Sequence, residues 1–115
     1  MKVLSYNVRG LGGGGKKRDL REMITKENFD VVLVQETKMN VLDVRMSRAI
    51  WRVGDFDWMM KSAIGNLGGL LCFWNQNSFK VQKKFEGFGF CGIEGQWGSK
   101  ELPCIFINVY APCDK

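Results

Sequence analysis

Apolar residues in this chain occur mostly in short runs, alternating or continuous, that glycines interrupt; only two stretches carry them at helical spacing. "KVLSYNV", residues 2–8, is a β-prone run that stops at Arg9-Gly10, which predicts a first strand. From Lys16 to about Asn28, the spacing of Leu20, Met23 and Ile24 predicts a helix, with Asn28 as a left-handed C-cap. "DVVLVQE", residues 30–36, holds four consecutive apolar residues, three of them valine, as a strand covered on both faces would. It ends in the carboxylate of Glu36. Leu42, Met46, Ala49 and Ile50 predict a second helix over 41–51, and Phe56, Trp58 and Met60 alternate as in a half-buried strand.

The second part of the chain reads as β. "LLCFW", residues 70–74, is a buried strand closed by the turn-rich "NQNS". Phe79, Val81, Lys83 and Phe85 alternate, as do Phe88 and Phe90 beyond Gly87, whereas Gly92, Gly95 and Gly98 interrupt the stretch after Phe90. "CIFINVYAP", residues 104–112, is a long β run closed by Pro112. This order predicts an α/β layered protein with mixed sheets, with no visible boundary, linker or repeat.

Composition narrows the chemistry. A chain of 115 residues, 45% hydrophobic and 25% charged, matches one soluble globular domain. No apolar run approaches the roughly 18 residues of a membrane span, and Met1-Lys2-Val3-Leu4-Ser5 leads directly to Asn7 without a secretory core, so an intracellular protein is expected. Cys72, Cys91, Cys104 and Cys113 show no Cys-x-x-Cys spacing, and there is no histidine, which argues against zinc and for reduced, structural thiols. The lack of histidine also removes the commonest general base. The net charge of +5 favours polyanionic partners, chiefly nucleic acid. The basic residues cluster at Lys16, Lys17, Arg18 and Arg21, at Arg45, Arg48 and Arg52, and at Lys80, Lys83 and Lys84. Among the tryptophans, Trp58 and Trp74 read as core, while Trp97 among glycines could be exposed.

The stretch "NVRGLGGGGKKRDL" comes close to two phosphate-binding motifs. Gly10-x-Gly12-x-x-Gly15 satisfies the dinucleotide fingerprint between a strand and a helix, with Glu36 about 20 residues on. Three basic residues at the start of that helix oppose its dipole, by roughly 0.3–1 kcal/mol each. Gly10 to Lys16 also fits the first seven positions of a P-loop, but Lys17 stands where a Ser or Thr hydroxyl should reach magnesium. A loop without a ligand remains open, and so does a third reading based on the strand ends.

Asn7, Glu36, and Tyr110 with Asn108 all lie near the ends of predicted strands, where α/β proteins build sites. Glu36 is a hard oxygen ligand suited to magnesium, Asn7 can orient a carboxylate or a phosphate oxygen, and a tyrosine hydroxyl can stabilise charge on a phosphoryl group. The set suggests metal-assisted phosphodiester hydrolysis.

"LSYNVRGLGG", "VVLVQETKM", "GNLGGLLCFW" and "INVYAP", in this order, resemble the first half of the endonuclease/exonuclease/phosphatase family. More narrowly, they resemble the apurinic-type endonuclease domain of plant LINE-type non-LTR retrotransposons. The similarity runs over nearly the whole chain and implies a deoxyribonuclease I-like two-sheet α/β sandwich. It further implies Asn7 and Tyr110 as catalytic groups, Glu36 as ligand of magnesium or manganese, and DNA as partner, with no nucleotide cofactor and a nuclear location. Arg9, Lys16, Lys17, Arg18, Lys38 and Asn108 become candidate nucleic-acid contacts. Arg9 stands where repair relatives carry aspartate, which points to the retrotransposon branch.

The resemblance also implies a single domain, 1–115, that lacks its C-terminal half. The Gly-Asp-Phe-Asn and Ser-Asp-His blocks expected after "NVYAP" have no counterpart, and "GDFD" at 54–57 precedes it, so Asp55 and Asp57 read as ordinary strand-edge residues. The chain alone is therefore expected to be inactive and to expose an apolar sheet face at its last strand. A catalytically dead nucleic-acid-binding module is the main alternative, and a dinucleotide-binding protein the remote one.

Overall fold

The computed structural model describes residues 1–13, 15–52, 54–64, 68–99 and 102–110. Its elements in chain order are β1 (Val3–Asn7), α1 (Lys16–Glu27), β2 (Val31–Gln35), α2 (Val44–Ile50), β3 (Phe56–Lys61), β4 (Leu70–Asn75), β5 (Phe79–Gly87), β6 (Phe90–Trp97) and β7 (Pro103–Val109). They form a four-stranded sheet in the order β1-β2-β4-β3 and a three-stranded sheet in the order β5-β6-β7. β1 and β2 run parallel, and every other pairing is antiparallel. The fold is thus a mixed α/β sandwich. A doubly wound dinucleotide sheet is excluded, because β2 turns to an antiparallel neighbour where that fold would add a parallel strand.

Two cores follow from the period-two alternation of β2 and β4. Val32, Val34, Leu71 and Phe73 face one way, against Leu20 and Ile24 of α1 and Ile50 of α2. Val31, Leu33, Cys72 and Trp74 face the other way and meet Phe79, Cys91 and Ile93 of the smaller sheet. Because both faces are covered, these two strands read as continuous apolar runs rather than as alternation. Trp97 packs against this second core. On the outer face of β7, Ile105, Ile107 and Val109 are each more than half exposed.

Helix ends obey local chemistry. Asn28 caps α1 in the left-handed conformation (φ 51°, ψ 59°). α2 is shorter than the expected 41–51, because Asp43 stops it on the N-terminal side: its carboxylate accepts the Met46 N–H at 2.8 Å. Asp43→Ala is expected to destabilise the fold by about 0.5–2 kcal/mol, measurable as a lower urea midpoint. Ala49, placed on the buried face by spacing, is exposed, while Ser47 and Ile50 are buried.

The glycine-broken stretch after Phe90 is a strand, β6, at the centre of its sheet. A Cβ at Gly92 would run into the Phe85 ring, and one at Gly95 into the Lys80 backbone beside the β5 bulge between Val81 and Lys83. These glycines mark close approach, not turns. The predicted closure of the last strand by Pro112, and Cys113, lie outside the described residues.

Candidate active site

Strand register brings several strand ends to one end of the sandwich. Asn7 pairs with Gln35, Gln35 with Leu70, and Leu70 with Lys61, so β1 and β2 end where β4 begins and β3 ends. In the other sheet, Phe90 pairs with Val109, so β7 delivers Tyr110 beside the turn between β5 and β6. The Tyr110 N–H donates to the Gly89 carbonyl at 2.8 Å, and its ring lies against Gly68. A cleft of about 370 Å³ opens here, lined by Ser5, Asn7, Leu33, Gln35, Glu36, Ile107, Val109 and Tyr110. Asn7, Glu36 and Tyr110 thus share one cavity.

The Asn7 amide is fixed at both ends. Its Oδ1 accepts the Arg9 N–H at 3.1 Å, which turns Nδ2 toward Glu36, where it donates to Oε2. A backbone N–H requires the oxygen and a carboxylate requires the amide nitrogen, so the network sets the orientation. The Glu36 side chain is half-buried and opens on the cleft.

The backbone at this end is held in uncommon conformations. Arg9 (φ 53°), Glu36 (φ 56°) and Lys38 (φ 54°) are left-handed; Asn28 is the one other non-glycine residue with positive φ among the described residues. Each such residue costs roughly 1–2 kcal/mol, and such strain persists only where the surroundings impose it. Here they do so from both sides. Gly10 N–H donates to Glu36 O at 2.7 Å and Leu11 N–H to Thr37 O at 2.9 Å. From the opposite side, Thr37 N–H reaches Gly69 O at 3.1 Å and Lys38 N–H reaches Gly68 O at 2.9 Å. The Glu36 segment is zippered between the glycine loop and the Gly68-Gly69 pair. Leu11, 1% exposed, anchors the loop in the first core.

Not every sequence candidate reaches the cleft. Arg9 and Lys38 are solvent-exposed next to Asn7 and Glu36 along the chain. Lys16, Lys17 and Arg18 begin α1 beyond the glycine loop and do not line the cleft. Asn108 needs correction as a nucleic-acid contact, because it is 1% exposed. Its amide donates to the carbonyls of Val34 at 3.0 Å and Leu71 at 3.1 Å, and its Oδ1 accepts Gln35 Nε2 at 2.8 Å. It ties the two sheets together directly beneath the site. Gln35 and Ser5, which the strand-end reading did not single out, line the cleft and are joined by a 3.1 Å hydrogen bond. Asp57 pairs with Trp74, four residues along β4 from Leu70, and so lies at the far end of its sheet.

Residues 4–100 match the sequence model of the Endonuclease/Exonuclease/phosphatase family. The chain belongs to this family. No curated protein matches it by sequence. Among solved structures of the fold, the AP endonuclease LMAP from Leishmania major superposes with a TM-score of 0.70 at 20% identity, over 94% of this chain and 39% of that one. The catalytic domain of APE2 from Xenopus laevis gives 0.72 at 18% identity, over 100% and 46%. ANGEL2, a 2′,3′-cyclic phosphatase solved with adenosine-2′,3′-vanadate, gives 0.55 at 13% identity, over 96% and 38%. The chain therefore spans less than half the length of these structures, and the likeness establishes the deoxyribonuclease I-like fold.

The endonuclease/exonuclease/phosphatase family is generally metal-dependent. The donor set fits a hard divalent ion held through one carboxylate: magnesium keeps several waters and takes one or two carboxylates plus substrate phosphate. It does not fit a closed protein cage, because no group of three acidic, cysteine or histidine side chains gathers among the described residues.

Proposed function

We propose that this chain is the metal-binding portion of a DNA endonuclease of the LINE-type retrotransposon kind, a magnesium- or manganese-dependent phosphodiesterase that nicks target DNA to prime reverse transcription. The observation that carries the reading is the Asn7–Glu36 hydrogen bond, in the same cleft as Tyr110 at the strand ends. Glu36 would hold the ion, which when bound supplies charge neutralisation at the scissile phosphate. Asn7 orients the carboxylate, and Tyr110, which lines the same cleft, would donate from its hydroxyl to a phosphate oxygen. Arg9 and Lys38 supply positive charge beside it, and Lys16, Lys17 and Arg18 supply more at the start of α1, for the DNA backbone. DNA is the partner, the nucleus is the expected location, and no nucleotide cofactor takes part.

In this reading, 1–115 is one truncated domain whose C-terminal half carries the groups that activate water, so the chain alone is inactive. A supercoiled-plasmid assay tests this. Residues 1–115 alone should give no nicked product, whereas a chain extended through the rest of the fold should nick with magnesium and stop with a chelator. Nicking by 1–115 alone would overturn the incompleteness, and chelator-resistant nicking by the longer chain would overturn the metal dependence. The lack of any group of three acidic, cysteine or histidine side chains among the described residues favours one further reading, a DNA-binding module without catalysis. That module would bind DNA with a steep salt dependence in either length, and nick with neither.

A further inference from the structure

The two sheets meet at a pair of thiols. Cys72 of β4 and Cys91 of β6 are both 0% exposed, and their sulfurs lie 3.7 Å apart across the sandwich. A disulfide bond is about 2.0 Å long, so a relative shift of less than 2 Å joins them. The surroundings are built around this contact. Asn108, which ties the sheets at the site, also directs its Nδ2 at Cys72 Sγ, 3.8 Å away. Three hydrogen-bond acceptors from β2 and β4, the Val34 and Leu71 carbonyls and this sulfur, thus share one buried amide.

We propose that Cys72 and Cys91 form an oxidation site at which hydrogen peroxide links the two sheets through a disulfide. The hydrogen bond between the sulfurs divides the roles. The contact with Cys91, together with burial, holds Cys72 well above its ordinary pKa, while the same contact lowers that of Cys91. Cys91, the more acidic of the pair, is therefore the sulfur assigned the first attack. Its sulfur takes one peroxide oxygen, the O–O bond breaks, and the other oxygen leaves as water with the Cys91 proton, which gives a sulfenic acid. The Cys72 sulfur then attacks the Cys91 sulfur, the S–O bond breaks, and a second water departs with the Cys72 proton. Two thiols lose two electrons, and one peroxide becomes two waters. The product fixes β4 to β6 at the sulfur that Asn108 addresses.

The test is a non-reducing peptide map of the native 115-residue chain after mild hydrogen peroxide. The expected result is a Cys72–Cys91 linked peptide that dithiothreitol releases, together with a thermal midpoint raised by roughly 10 °C in the oxidised form. The same treatment in urea should give no dominant pairing, because four cysteines allow several connectivities. Cys91→Ala should abolish the linked peptide and the shift, while Cys104→Ser, at a half-buried position outside the pair, should keep both. Oxidation of Cys104 without the Cys72–Cys91 peptide, or equal yields of that peptide in native buffer and urea, would overturn the proposal. The outcome does not depend on the nuclease reading, because it requires neither metal nor DNA.

Discussion

Glu36→Ala in the chain extended through the rest of the fold should lower magnesium-dependent nicking by at least about 100-fold, the scale for loss of one group that stabilises transition-state charge. The fold should hardly notice. The side chain points into an open cleft, and alanine meets the same left-handed backbone as glutamate, so the thermal midpoint should stay within a few degrees. Glu36→Gln separates charge from shape: it keeps an oxygen for the Asn7 amide but removes the negative charge, and should lose as much activity as alanine. Asn7→Ala should cost less, about 10-fold, because the carboxylate remains and only its orientation is freed. Retained nicking in Glu36→Ala would remove Glu36 from the metal site.

Gly69→Ala should be the most destabilising small substitution near the site. Gly69 sits at φ +94°, where an L side chain is strained, and a Cβ there would collide with Thr37 Oγ1 and crowd the Lys38 N–H. Thr37 is 2% exposed and cannot swing away, and Lys38 N–H belongs to the backbone ladder that holds the Glu36 segment. Strain and overpacking each cost about 1–3 kcal/mol, so a loss of roughly 3–5 kcal/mol is expected from urea unfolding. Gly12→Ala offers the contrast, because nothing lies within 4 Å of a Cβ there. Equal effects of the two substitutions would show that the Gly69 contacts do not hold the segment.

The pattern of apolar residues revealed the element order and the two-sided burial of β2 and β4, because a strand between two cores must be continuously apolar. β6 escaped that logic. Its glycines are there to admit the Phe85 ring and the Lys80 backbone, and such tertiary contacts leave no mark in a local pattern. Asn108 misled for the opposite reason: it was judged by its position near a strand end. Its phase was the better signal, since it alternates with Cys104 and Phe106 on the face that packs inward. That Asn7 and Glu36 meet was legible because both stand at the ends of strands that the apolar pattern marks. Gln35 and Ser5 were not, because their place in the cleft depends on how β1 lies against β2 and β7. The Gly68-Gly69 pair stands in one of the four stretches that carried the resemblance to the family, and its reason emerges only from the Thr37 contact.

The three left-handed residues around Glu36 also bear on how this protein could evolve. Arg9 and Lys38 hold conformations that glycine or asparagine would adopt at lower cost. A population selected for heat resistance alone should therefore drift toward glycine or asparagine at these positions and lose the charges that flank the cleft. Selection for nucleic-acid processing would push the other way. On the proposed function, stability and activity would compete for the same few codons, and the residues at these positions would report which of the two pressures has been stronger.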